Sequence, residues 1–103
     1  MIIYISGAIH NDRDFMTKFE AAEIDIKDAG HLPINPAKFI SNIHGLTDEQ
    51  AMDICYQLLS MADAIYLIGD WTSSYSCHEE VGFARARGMK FITPESMVTS
   101  YQN

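Results

Sequence analysis

The chain has 103 residues, 48% of them hydrophobic, which suits one modest core and the removal of roughly 65% of the unfolded chain's surface on folding. Residues 1–103 are read as a single domain, and so small a unit gains from homo-oligomerisation as a dimer or higher assembly. With 14 Asp plus Glu against 7 Lys plus Arg, the net charge is −7, so no basic stripe exists to displace counterions and nucleic acid is excluded as a partner.

Cys55 and Cys77 have no C-x-x-C spacing and suit a reducing compartment. No apolar run approaches the roughly 18 residues of a membrane span. The opening "MIIYISGAIH" lacks a basic n-region and a long apolar stretch, which predicts a cytoplasmic protein without a membrane partner.

"IIYIS" at residues 2–6 reads as a buried strand that stops at Gly7, and a loop, "GAIHNDR", follows. Phe15, Phe19, Ala22, Ile26 and Ala29 recur at steps of four and three, one stripe of a helix that ends at Gly30. "HLPINP" is a short strand whose prolines place it at a sheet edge. Residues 37–46 are expected to be a loop. "TDEQ" at 47–50 is a capping box, with Thr47 and Gln50 bonding reciprocally, and its helix sets Ala51, Cys55, Leu58 and Ala62 on one line. "AIYLI" at 64–68 lacks polar alternation, as a strand covered on both faces does. A further helix and a last strand, "KFIT" at 90–93, complete the chain.

Strands alternating with helices predict an α/β fold, a small three-layer domain around a parallel sheet of about four to five strands. Ligands in such sheets sit at the carboxyl ends of the strands. That rule selects Ser6, Gly7, Ala8 and His10 after the first strand, Asn35 after the second, and the loop from Gly69 with Asp70 and Trp71 after the third.

The most informative stretch is "WTSSYSCHEEVGFARARG", residues 71–88. Ser76 and Glu79 have capping-box spacing, which accounts for Glu79. Glu80 lies about 60° from Cys77 on a helical wheel and beside Ala84, at the border of the buried face. One reading makes it an acid that favours the helix dipole. The other makes it a functional carboxylate, kept ionised with a lowered pKa by the backbone donors of the first turn. Trp71 and Tyr75 supply either a stacking wall for a flat ligand or an interface.

"YISGAI", "ADAIYLIGDW" and "SSYSCHEEVGFARARG" together resemble the nucleoside 2-deoxyribosyltransferase superfamily. The likeness is nearest to its small phage and bacterial members of unassigned function and more distant to the deoxynucleoside monophosphate N-glycosidases. Its most specific part is S-x5-E-x-G-x-A, carried by Ser74, Glu80, Gly82 and Ala84. The resemblance implies a flavodoxin-like or Rossmann-like sheet, cofactor-free scission or exchange at an N-glycosidic bond, and a small-molecule nucleoside or nucleotide as substrate. It places the nucleophile on Glu80 and the tyrosine that orients it on Tyr4, while Ser74 and Asp70 line the sugar or base pocket. For a phage-encoded member the location is the host cytoplasm.

Two departures go with the match. Where relatives that act on monophosphates have Ser and Arg to hold the phosphate, this chain has Ala8 and His10, and only Ser74 of that set remains. Where the family often has an aspartate to assist the departing base, this chain has Cys55, leaving Asp70 and, less well placed, Asp53 as candidates. The second reading is therefore a catalytically inactive protein that binds a nucleotide or ribosyl metabolite, and the third is an interaction module.

His10, His31, His44 and His78 have no metal-ligand spacing, so no metal is expected. Cys77 and His78 diverge by 100° on a helix and make no nucleophile-base pair. "GAIHND" is neither a dinucleotide fingerprint nor a P-loop. Arg85 and Arg87 suit the last turn of their helix. The tail "ESMVTSYQN" is left unplaced; the resemblance implies that it can reach a neighbouring subunit.

Overall fold

The structure is a computed structural model, and it describes residues 1–9 and 12–96. His10 and the tail beyond residue 96 lie outside the described residues. Four strands form one sheet: β1 (Ile2–Ser6), β2 (Leu32–Ile34), β3 (Ala64–Leu67) and β4 (Lys90–Ile92). All pairings are parallel, in the order β2-β1-β3-β4. The proline-flanked segment is the edge strand its sequence predicts, and the two apolar strands β1 and β3 occupy the centre.

Helices α1 (Phe15–Asp28), α2 (Pro36–Ile40), α3 (Asp48–Leu59) and α4 (Tyr75–Ala86) connect the strands, with a 3-10 turn at Trp71–Ser73. Side chains alternate along β1 and β3, so each strand serves two cores. Ile3, Ile5, Ala64, Tyr66 and Ile68 pack with Phe19, Ala22 and Ile26 of α1 on one face. Tyr4, Ile65 and Leu67 pack with Cys55 and Leu59 of α3 and Val81 and Ala84 of α4 on the other. The result is the expected three-layer α/β arrangement.

Local signals explain the connections, with two differences from the sequence reading. Thr47 and Gln50 form the predicted capping box at α3. Within that helix the deepest residues are Cys55 and Leu59; Leu58 is only half-buried, and Ala62 lies past the helix end.

The first difference is α2, in a segment expected to be loop. Asn35 caps it by accepting from the Ala37 N–H at 3.1 Å, and Pro36 fits the first turn, where its missing N–H is harmless. The helix is five residues long, too short for its periodicity to register.

The second difference is at α4. Its N-cap is Ser74, whose hydroxyl accepts from the Cys77 N–H at 3.4 Å, so the helix starts before the Ser76 and Glu79 pair expected to close it. Ser76 instead shares a hydrogen bond with Ser74 at 3.1 Å, and Glu79 accepts from the Tyr56 hydroxyl at 3.1 Å.

Candidate active site

Period-two geometry puts Tyr4 and Ser6 of β1 on the face covered by α3 and α4, opposite Ile65 and Leu67 in the β3 register. Above them α4 packs with Cys77, Glu80, Val81 and Ala84 on its buried line. Glu80 is thus one turn into the helix and only 5% exposed. Its Oε2 accepts from the Tyr4 hydroxyl and its Oε1 from the Ser6 hydroxyl at 2.8 Å. Each oxygen holds one donor and keeps a further lone pair.

Burial dominates the electrostatics. It pushes the Glu80 carboxyl up to about 7, against the pull of the Tyr4 and Ser6 donors and with help from the neighbouring Glu79 charge. The lowered pKa expected for a first-turn carboxylate is therefore overturned. With Ser74 as the N-cap, Glu80 lies beyond the first turn, where the terminus acts, and removal from water decides the shift.

Tyr4 is shifted well above the usual tyrosine value, by burial first and then by Glu80 and Cys55, so its phenol remains a donor. Burial also holds the Cys55 thiol at about 11 despite its contact with the Tyr4 hydroxyl. A thiol that releases its proton so reluctantly is a poor acid at neutral pH.

The Tyr4 and Glu80 pair faces a cleft of about 1330 Å³ at the carboxyl end of the sheet. Gly7 and Ala8 lie on its β1 side, and Asp70 and Ser74 on its α4 side. Gly7 leaves no room for a side chain: an added Cβ would come within 2.6 Å of Ile68 Cγ1. Asp70 is exposed, and its Oδ1 accepts from the Thr72 hydroxyl at 2.9 Å.

The structure thus gathers Tyr4, Ser6, Gly7, Ala8, Asp70, Ser74 and Glu80 about one end of the sheet, Ser6 as a donor to the carboxylate. Asn35 and Trp71 are not among the cleft-lining residues. Asn35 is the buried cap of α2, and Trp71 packs against the α3 and α4 core with its ring 5.7 Å from that of His78.

Of the other lining residues, Tyr75 and Asp53 were named from the sequence, while Tyr56 and Glu49 were not. Tyr75, which was paired with Trp71 as an aromatic wall, does line the cleft and is 81% exposed. Tyr56 and the acidic bank of α3, including Glu49 and Asp53, come from a segment 24–31 residues before Glu80. The one signal available was the helical spacing of Glu49, Asp53 and Tyr56. Chemically, the site offers a carboxyl group whose pKa burial raises to about 7, fixed by two hydroxyl donors and open to a cavity on one side.

The family described as "Domain of unknown function (DUF4406)" matches residues 1–93. No curated protein matches the chain. Among solved structures, a 2-deoxyribosyltransferase from Bacillus psychrosaccharolyticus superposes with a TM-score of 0.70 at 18% identity, over 90% of this chain and 71% of that one. The Clostridium botulinum CMP N-glycosidase BcmB superposes with a TM-score of 0.61 at 16% identity, over 90% of this chain and 67% of that one. At these identities the likeness establishes a shared fold.

Proposed function

The chain belongs to the DUF4406 family, and on the geometry of its site we propose that it cleaves or exchanges the N-glycosidic bond of a (deoxy)nucleoside or nucleotide. One observation carries this: a buried carboxylate, held on both oxygens by hydroxyl donors, faces a cleft large enough for a nucleoside. The fold is shared with a 2-deoxyribosyltransferase and a CMP N-glycosidase, which supports the same reading.

In this mechanism ionised Glu80 attacks the anomeric carbon, the bond to the base breaks with its electron pair passing to the base nitrogen, and a glycosyl ester remains. Water or a second base then displaces the carboxylate. A fixed anion beneath the sugar stabilises the oxocarbenium-like transition state. Tyr4 acts as its orienter and lowers the cost of ionising it. Small-molecule substrates, a homo-oligomeric working state and a cytoplasmic location complete the proposal.

The test is free-base release, followed by chromatography, from a panel of nucleosides and their monophosphates. Glu80→Gln is expected to abolish release, a loss of at least ~10³-fold, with the fold retained; undiminished release by that variant removes Glu80 from the mechanism. Because Glu80 must be ionised, kcat/KM rises with pH through about 7. Tyr4→Phe deletes a donor that stabilises the anion and moves that limb to higher pH, and an unmoved limb rejects the orienting role.

Cys55 supports a second reading, a binding protein without turnover, since its thiol at about 11 stands where relatives place an acid. That reading expects ligand-dependent thermal stabilisation without product.

A further inference from the structure

The charge of the cleft sets a preference among the bases that can depart. A neutral base leaves either as an anion or after accepting a proton from an acid. The two thiols beside the Tyr4 and Glu80 pair, Cys55 and Cys77, are buried, and the next carboxylate along α4, Glu79, accepts from the Tyr56 hydroxyl at 3.1 Å, while Asp53 and His44 line the cleft further out. Asp70 is exposed at the rim, its Oδ1 already accepting from Thr72.

The cleft is also strongly anionic. Glu49 and Asp53 line one bank and Asp70, Glu79 and Glu80 the other. Among the described lining residues the only lysine or arginine is Lys18, and it is ion-paired to Asp12 at 2.7 Å. Two aromatic rings, Tyr56 and the exposed Tyr75, complete the walls. Carboxylates around aromatic faces form a receptor for a flat cation and repel a phosphate.

We propose that the preferred substrate is an unphosphorylated nucleoside whose base carries a fixed positive charge, an N-alkylated purinium or a pyridinium, held by the acidic banks and the tyrosine rings of this cleft. The inference rests on the glycosidic reading above and narrows it.

Such a base needs no acid. As the Glu80 carboxylate oxygen bonds to C1′, the C1′–N bond breaks and its electron pair cancels the ring charge, so the base leaves neutral. Water then adds to C1′, the ester bond to Glu80 breaks to regenerate the carboxylate, and the water proton passes to solvent. Departure without a proton donor and attraction by the acidic cleft thus favour the same kind of base.

The experiment compares matched pairs on the purified full chain: 7-methylguanosine against guanosine, and nicotinamide riboside against uridine, with the 5′-monophosphate of each. Base release is followed at low and high salt, and every rate is divided by the spontaneous rate. The expected result is a kcat/KM at least ~10-fold higher for the cationic member of each pair, falling as salt screens the cleft, with the monophosphates slower. The double variant Glu49→Gln, Asp53→Asn is expected to reduce that preference and its salt dependence.

Neutral nucleosides or monophosphates turned over as well as the cations, or no salt effect on the cations, overturns the inference and leaves the glycosidic reading standing. No release from any of the substrates by the folded protein overturns both.

Discussion

The two faces of the central sheet are made from alternate residues of the same two strands, yet they hold opposite kinds of interior. Against α1, Ile3, Ile5, Tyr66 and Ile68 meet Phe19, Ala22 and Ile26, an interior built almost wholly of apolar groups. Against α3 and α4, Tyr4 and Ser6 converge on buried Glu80. The first face gains from every group it hides from water. The second hides a carboxyl whose ionisation burial disfavours, and two hydroxyl donors only partly offset that burden. A strand's period of two lets one face stabilise the fold while the other holds a reactive group near its switching point.

The largest expected effect lies on the apolar face. Phe19→Ala empties a fully buried site beside Gly7 and Ile68, and is expected to cost about 3–5 kcal/mol in denaturant unfolding, equally at pH 5 and pH 8. A loss that varied strongly with pH would mean that the two faces are not energetically separate.

Glu80→Gln tests the polar face through the pH dependence of stability. The folded carboxyl titrates at about 7 against 4.5 for an ordinary glutamate, so between these values the folded state keeps a proton that the unfolded state releases. Wild-type stability therefore falls as pH rises across that window, by about 1–3 kcal/mol, and is flat in this respect on either side. The amide cannot titrate, so the variant should show a flattened curve and equal or greater stability at pH 8. An unchanged pH slope in the variant would assign the dependence to other groups.

The smallest effect concerns the join between site and scaffold. Ser74→Ala removes the cap that starts α4 ahead of Glu80, for an expected loss of about 1 kcal/mol by thermal unfolding. A loss of base release well beyond what that destabilisation explains would show that the cap also fixes the carboxylate's position.

Much of this was legible in the chain itself. Two uninterrupted apolar runs marked β1 and β3 as central, the prolines around residues 33–36 marked an edge, and Thr47 with Gln50 marked the start of α3. The wheel geometry of α4 already turned Glu80 toward the interior. The helix α2 was missed because one turn carries no period, although Asn35 followed by Pro36 is a start signal in its own right. The capping box assigned to Ser76 and Glu79 failed because Ser74, two residues earlier, offers an equally good cap and the helix takes the longer form.

Sequence periodicity determined the elements, their order and the direction of the acid, since each depends on residues a few positions apart. Tertiary structure decided what the acid is chemically. The Ser6 hydroxyl reaches it from 74 residues away, Tyr75 and the α3 bank line the cleft while Trp71 turns to the core, and the exclusion of water raises its pKa against the pull of its two donors. Those outcomes belong to distance and desolvation in the folded chain, which no local pattern encodes.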